Sequence, residues 1–398
     1  MPRIDFQNSL IILFRLMNIM VNALTGFALA HGLDQRERGT AAIITSMVSV
    51  IASLFANAPA ENIIKNHSTE PSLKKILRIN VLQVCVMLGI ILPTTNVIGL
   101  YEDFAKQVLI VFYCLFTYIF TLISAFLFHA EKKYLYQLVS VLHVSILALV
   151  FFALTMTEKF NLLSWLIAVC VTNLLTIFLL ILILQISSVQ LRIHVNSIWK
   201  FRRMSKVDIT EFVSVNLSSQ MTQILLVSLG CIYGTSTAAN MAIVFSLATI
   251  FMVPISPFIP VVLQRAATMQ KIGLPFKENG HRVIWFFLYV LLIWKISSRF
   301  FELLYSDKYN DVKTILPLVA AFSVTFGVLQ ISCALLRGLE MHSINIGLTL
   351  IPIGCLVSFH FLSYAVLSDI LWIFVTVSCL ELSVVAIVSR IKKMHFRA

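Results

Sequence analysis

Charge is scarce in this chain. Only 12% of its 398 residues are Asp, Glu, Lys or Arg, while 59% are hydrophobic and the mean hydropathy is +0.93. Soluble globular chains are about 25% charged, so a water-soluble globule is excluded and an integral membrane protein is implied. Paired cysteines are lacking as well. Cys85, Cys114, Cys170, Cys231, Cys333, Cys355 and Cys379 each stand alone inside an apolar run, with no Cys-x-x-Cys and no His or Cys cluster at metal spacing. They read as small apolar residues, and no metal is expected. Phosphate-binding Gly loops, metalloprotease motifs and nucleophile elbows are missing too. ATP-driven work is thereby excluded, no cofactor is expected, and the chain reads as a non-enzyme. The longest polar connections, Ser188 to Asp208 and Arg265 to His281, are too short to be a separate catalytic domain.

What the chain has instead is apolar length. A helix crosses a bilayer core with about 20 apolar residues. Between Glu211 and Arg265 no charged residue occurs over 53 positions. That is too long for one helix and right for a hairpin of two, broken at Tyr233-Gly234-Thr235-Ser236-Thr237, a turn-like cluster. The whole sequence divides into twelve spans, at 8–31, 40–64, 76–98, 104–128, 134–156, 161–187, 209–232, 237–264, 282–303, 312–336, 342–365 and 367–390. The first is not a cleaved signal: it is long, it carries Arg15 and Asn18, and no small-residue cleavage site follows.

Lys and Arg concentrate on the cytoplasmic side of membrane proteins. The N-terminus, the even-to-odd connections and the C-terminus hold 21 of them, and the odd-to-even connections hold six. Both termini are therefore expected in the cytoplasm. The net charge of +12 is mostly this topology signal; nucleic acid is not a partner, whereas anionic lipid headgroups are.

Six spans precede the basic segment Arg192 to Lys206 and six follow it. The expected fold class is all-α integral membrane: about twelve transmembrane helices in two parallel six-helix bundles around a central cavity. The domains are an N-terminal bundle 1–190, a basic cytoplasmic linker 191–207 and a C-terminal bundle 208–398. The halves resemble each other weakly. Span 1 runs to Gly26 and turns near Gly32, while span 7 runs to Gly230 and turns at Gly234; each precedes a Ser-rich span ending in a basic residue, Lys65 or Arg265. Transporters built from parallel repeats bind substrate between the halves and rock them alternately.

Polar residues at membrane depth are costly and often mark substrate paths. Asn8, Arg15, Asn18 and Asn22 share one helix face at 7-3-4 spacing. Arg15 either contacts an anionic headgroup or pairs with Glu61, which reaches a similar depth from span 2; the two are compatible, because a salt bridge can gate. Ser49, Ser53, Asn57 and Glu61 follow at spacings of four, with Pro59 set to kink that helix. Ser49 and Ser53 read mainly as packing residues. In span 7, Asn216, Gln220 and Gln223 form a matching stripe beside Ser219, either lining a shared cavity or bonding between helices. Pro254, Pro257 and Pro260 forbid a regular helix in span 8 and read as a bend or hinge. Glu381 in span 12 is a candidate coupling residue for a proton or cation, unless Ser378 satisfies it structurally. Arg337 closes span 10 as a positive-inside anchor and joins Glu61 as a candidate gating or ion-pairing group. His143 and His360 read as satisfied core histidines, and Lys106 and Lys295 as snorkelling residues.

Three stretches carry a resemblance. They are Asn8-Ser9-Leu10 through Arg15 to Asn22 and Gly26; Leu229-Gly230-Cys231-Ile232-Tyr233-Gly234-Thr235-Ser236, leading into a span that ends near Pro257; and Leu304-Tyr305-Ser306-Asp307-Lys308-Tyr309 with Ile315-Leu316-Pro317-Leu318 and Ala334-Leu335-Leu336-Arg337-Gly338. With the twelve-span layout, they resemble the polysaccharide and O-antigen flippases of the multidrug/oligosaccharidyl-lipid/polysaccharide exporter superfamily. Ser306 stands where many members have Gly.

The resemblance implies an undecaprenyl-pyrophosphate-linked oligosaccharide, flipped to the outer leaflet of a bacterial cytoplasmic (inner) membrane by alternating access. Its implied partners are that lipid-linked oligosaccharide, membrane lipids and other polysaccharide-assembly membrane proteins. Chemistry agrees: Arg15 would hold pyrophosphate by bidentate contacts, and Asn18, Asn22, Asn57, Asn216, Gln220 and Gln223 would meet sugar hydroxyls. Two alternatives stand beside it. One is a drug or metabolite antiporter of the same superfamily, expected to carry an acidic site in the first bundle where span 1 offers Arg15. The other is an integral membrane polysaccharide polymerase or glycosyltransferase, expected to show a large external loop or an acidic donor-phosphate motif.

Overall fold

A computed structural model describes residues 6–65, 81–97, 103–129, 133–157, 160–186, 206–253, 280–305, 307–362 and 367–395. Among them there are helices and turns and no strand. In chain order the helices are α1 (Phe6–Gly32), α2 (Gln35–Lys65), α3 (Val81–Val97), α4 (Phe104–His129), α5 (Lys133–Met156), α6 (Leu162–Ile186), α7 (Lys206–Ser219), α8 (Met221–Tyr233), α9 (Thr235–Phe251), α10 (Gly280–Tyr305), α11 (Asn310–Thr314), α12 (Leu316–Gly338), α13 (His342–Leu362) and α14 (Leu367–His395).

Helical segments lie at all twelve expected spans. Six of the described stretches are long and apolar enough to cross a membrane: Gln35–Ala56, Phe104–Ile123, Gln137–Met156, Leu162–Ile183, Leu316–Gly338 and Leu367–Val385. With the shorter apolar helices they make a multi-pass membrane protein. Span 7 departs from expectation. It is not one helix but two, α7 and α8, bent by 69° at Gln220. Span 10 starts at Leu316, later than expected, because Asp307–Tyr309 and α11 form separate short turns ahead of it.

Local signals set the helix starts. Asp34 accepts the Glu37 N–H at 2.6 Å and caps α2, and Asp103 accepts the Lys106 N–H at 3.1 Å and caps α4. Asn161 and Ser164 cap α6 reciprocally: each side chain accepts the other's backbone N–H at 2.9 Å. Gly234, at φ 90°, separates α8 from α9. The end of α12 uses a different device. Met341 N–H bonds Leu336 C=O at 2.8 Å and Glu340 N–H bonds Arg337 C=O at 3.0 Å, a Schellman pattern with Glu340 left-handed at φ 59°.

The chain divides into two compact units, Met1–Met204 and Ser205–Ala398. In the first, α1 packs on α5, α2 on α4 and α4 on α6. In the second, α7 and α8 pack on α13, α9 on α12 and α12 on α14. The same pairings of spans, 1 with 5, 2 with 4 and 4 with 6, therefore recur in each unit, which is the internal repeat in structural form. In the first unit Ile44, Val48, Ala52 and Ala56 form a buried i, i+4 row on α2, and the two alanines admit close approach of a neighbouring helix. In the second unit Phe322 is fully buried and joins three helices, with ring centroids 5.9 Å from Phe245 on α9, 5.5 Å from Phe326 on α12 and 5.8 Å from Phe374 on α14.

Candidate functional site

In the N-terminal unit the polar strip of α1 is partly assembled. Asn22 Nδ2 donates to Asn18 Oδ1 at 2.7 Å and to Asn18 C=O at 2.9 Å. Asn18 Nδ2 in turn donates to Ser140 Oγ of α5 at 2.7 Å. One turn further along α5, His143 Nδ1 lies 2.9 Å from Thr176 Oγ1 of α6, with Phe120 stacked at 5.8 Å, so it is a satisfied core histidine. The side chains of Arg15, Asn57, Glu61 and His360 lie outside the described residues, as do Pro254, Pro257 and Pro260 entirely. Lys106 Nζ pairs with Asp103 at 2.8 Å, and that hydrogen bond holds the Asp103 carboxyl below its ordinary range.

In the C-terminal unit the predicted stripe of Asn216, Gln220 and Gln223 does not run along one straight helix. The bend falls on Gln220 itself, so Asn216 belongs to α7 and Gln223 to α8. Asn216 is only 2% exposed and returns its Nδ2 to Phe212 C=O at 2.9 Å within its own helix, while Gln223 Oε1 accepts from Thr222 at 2.7 Å. The bond that crosses helices here involves residues that the sequence pattern passed over. Asn345 of α13, fully buried, donates Nδ2 to Ser214 Oγ at 2.7 Å and to Ser214 C=O at 3.3 Å on α7. It is the counterpart of the Asn18–Ser140 bond: the same pair of spans in each unit is joined by one amide and one hydroxyl, with the donor on the other helix. Only the repeat, superposed on the pairing of helices, could have singled it out.

Glu381 lies on α14 and Arg337 near the end of α12. Glu381 is 2% exposed, and neither carboxylate oxygen has a hydrogen-bond partner among the described residues. Ser378, one turn away and itself 2% exposed, does not bond to it. Arg337 is half-buried, and its Nε has no hydrogen-bond partner among the described residues. Among the described residues no group of His, Cys, Asp and Glu could hold a metal ion.

No family model matches the sequence, and no curated protein matches it. Solved structures do. An inward-facing multidrug resistance MATE family transporter of the MOP superfamily aligns at TM-score 0.64 and 14% identity, over 96% of this chain and 95% of the other. An outward-facing transporter of the same description aligns at 0.58 and 13%, over 98% and 96%. A MOP superfamily transporter from Pyrococcus furiosus, whose binding pocket is described as reversed in polarity, aligns at 0.51 and 14%, over 100% and 98%. MATE transporter folds have twelve transmembrane helices in two bundles, and this chain, helical throughout its described segments, shares the fold of these structures.

Proposed function

We propose that the chain is a cation-coupled antiporter that exports a small amphiphilic drug or metabolite by alternating access, set in a bacterial inner membrane with both termini in the cytoplasm. One observation carries the choice of substrate: where the amides spend their hydrogen bonds. Asn18, Asn22, Asn216 and Gln223 are engaged with one another, with Ser140 and Thr222, or with their own backbone. An oligosaccharide drawn out of water needs its hydroxyls met by free donors and acceptors, because each buried unmet group costs about 1–3 kcal/mol. A small amphiphile asks for far fewer such partners and more apolar wall. The neighbouring folds described as multidrug resistance transporters agree with this choice.

A second reading, the lipid-linked oligosaccharide flippase, is favoured by Arg15, a fixed cation inside span 1 suited to pyrophosphate. One pair of assays separates them. Proteoliposomes holding the full chain are given ethidium or rhodamine 6G under an imposed pH or sodium gradient, and host cells lacking the protein are examined for lipid-linked oligosaccharide. Gradient-driven dye movement, abolished by an ionophore, is the expected result. No dye movement, with oligosaccharide building up on the cytoplasmic leaflet and relieved by wild type but not by Arg15→Ala, would overturn the antiporter and establish the flippase.

A further inference from the structure

One face of α14 is buried along its length. Leu371, Phe374, Ser378, Glu381 and Val385 recur at steps of three and four and are all buried, while Trp372 on the opposite side is 58% exposed. Two contacts fix what the buried face meets. Phe374 packs edge-on against Phe322 of α12 at 5.8 Å, and Val385 joins Leu336 of α12 and Leu348 of α13 in one buried cluster. Glu381 lies on the same face between these contacts, seven residues after Phe374 and four before Val385. It therefore sits in the seam where α14 packs on α12 and α13, within the membrane-crossing stretch Leu367–Val385. Both of its carboxyl oxygens are buried there with no hydrogen-bond partner among the described residues. A carboxyl withdrawn from water and left unpaired is far cheaper to keep neutral than ionised, so it takes up a proton.

We propose that Glu381 is a proton-binding site: in the packed C-terminal unit it holds one proton, and it releases that proton only when the seam parts and water reaches the carboxyl. One O–H bond breaks, the proton passes to water, the carboxylate is left hydrated, and nothing is oxidised or reduced. Bound proton and closed seam therefore stabilise each other. That is the differential affinity for two states through which a gradient biases a conformational equilibrium. A metal cation suits the place poorly. Hard cations take about six to eight oxygen ligands. The next acid on α14, Asp369, is twelve residues away, and no group of three His, Cys, Asp or Glu comes together among the described residues. The packed helices carry few other titratable or charged groups: Cys333 and Arg337 on α12, His342, Cys355 and His360 on α13, and Asp369, Cys379 and the basic residues from Arg390 onward on α14. None of the described ones bonds to Glu381. Coupling of this proton to export rests on the antiporter reading; the proton site itself does not.

The test is infrared difference spectroscopy of the purified full chain in liposomes, with pH and then sodium as the only variables and no solute to be transported. Wild type at neutral pH is expected to show a protonated-carboxyl band that Glu381→Gln lacks, and raising the pH should remove that band reversibly. Thermal unfolding gives a second readout. Glutamine imitates the neutral acid, so Glu381→Gln should match wild type at neutral pH and outlast it in alkali, where wild type loses its proton and with it the closed seam. If Glu381→Gln does not fold, Glu381→Asp serves, because it moves the carboxyl band rather than deleting it. A neutral-pH band identical in wild type and variant would overturn the proposal, and so would a band that persists at every pH at which the chain stays folded. Loss of the band on adding sodium at fixed pH would assign the site to a metal cation and also overturn it. Dye movement is read separately. Its absence in wild type defeats the antiporter reading and leaves the infrared outcomes unchanged, whereas pH-driven dye movement undiminished in Glu381→Gln would overturn the coupling role.

Discussion

Replacing Gly32 by alanine tests how tightly the first unit is locked. Gly32 ends α1, and a methyl group there would lie 2.0 Å from Phe160 Cδ1, 2.7 Å from Thr155 Oγ1 and 2.8 Å from Phe160 Cε1. Comfortable carbon contacts are about 3.5–4.0 Å, so the Phe160 ring must retreat by well over an ångström. It has little room. Phe160 is 7% exposed and tilted against the buried Phe151 at 5.3 Å, and Thr155 is tied to Phe151 C=O at 2.9 Å. Overpacking of this kind costs about 1–3 kcal/mol. The helix preference of alanine over glycine returns about 0.5–1 kcal/mol. The expected net loss is about 1–2 kcal/mol, read as a lower unfolding midpoint of the purified protein in detergent. The control is the double variant Gly32→Ala/Phe160→Leu, in which the smaller side chain admits the methyl group. Its loss should be smaller than the sum of the two single losses, the signature of contacting residues. Gly32→Ala as stable as wild type, or strict additivity in the double variant, would refute the close packing.

Three further outcomes follow from other contacts. Asn345→Ala removes both bonds to Ser214 from a fully buried place and should cost about 1–2 kcal/mol, whereas Asn18→Ala, losing its part-buried bond to Ser140 and the exposed one from Asn22, should cost about 0.6 kcal/mol; thermal unfolding that ranks them the other way contradicts the assignment. Glu340→Gly should raise stability by up to about 1 kcal/mol, because glycine adopts the left-handed Schellman position without the penalty that a side chain carries; a lowered unfolding midpoint would show that the Glu340 side chain matters more. The Asp103 carboxyl is held low by Lys106, so its contribution to stability is present above the ordinary Asp range near about pH 4 and is lost as the pH falls through the lower folded value. Asp103→Asn should therefore be less stable than wild type at neutral pH and should match it in acid; a difference that persists in acid would point to capping geometry rather than charge.

The sites divide according to what kind of information places them. Asp34, Asn161 and Gly234 act within a few residues of their own helix ends, and turn and cap chemistry is local, so their roles could be read from neighbouring letters. The bend at Gln220 could not. Its flanks are uniformly apolar or neutral, with neither proline nor glycine, and α7 and α8 on its two sides each pack on α13. Glu381 was visible as an acid at membrane depth, but its lack of a partner depends on which face of α14 meets α12.

The sequence by itself determined where the chain leaves water. Hydrophobic transfer is a property of each segment taken alone, so α6 at Leu162–Ile186 lies within one residue of its expected limits and α4 at Phe104–His129 matches almost as closely. The tertiary structure alone decided which polar groups satisfy one another. Hydropathy carries no record of rotation about a helix axis, and a quarter turn either joins Asn345 to Ser214 or points it into lipid. That rotation is set by interdigitated side chains such as Phe322 and by close approaches such as Gly32 against Phe160, and these exist only once the helices have packed.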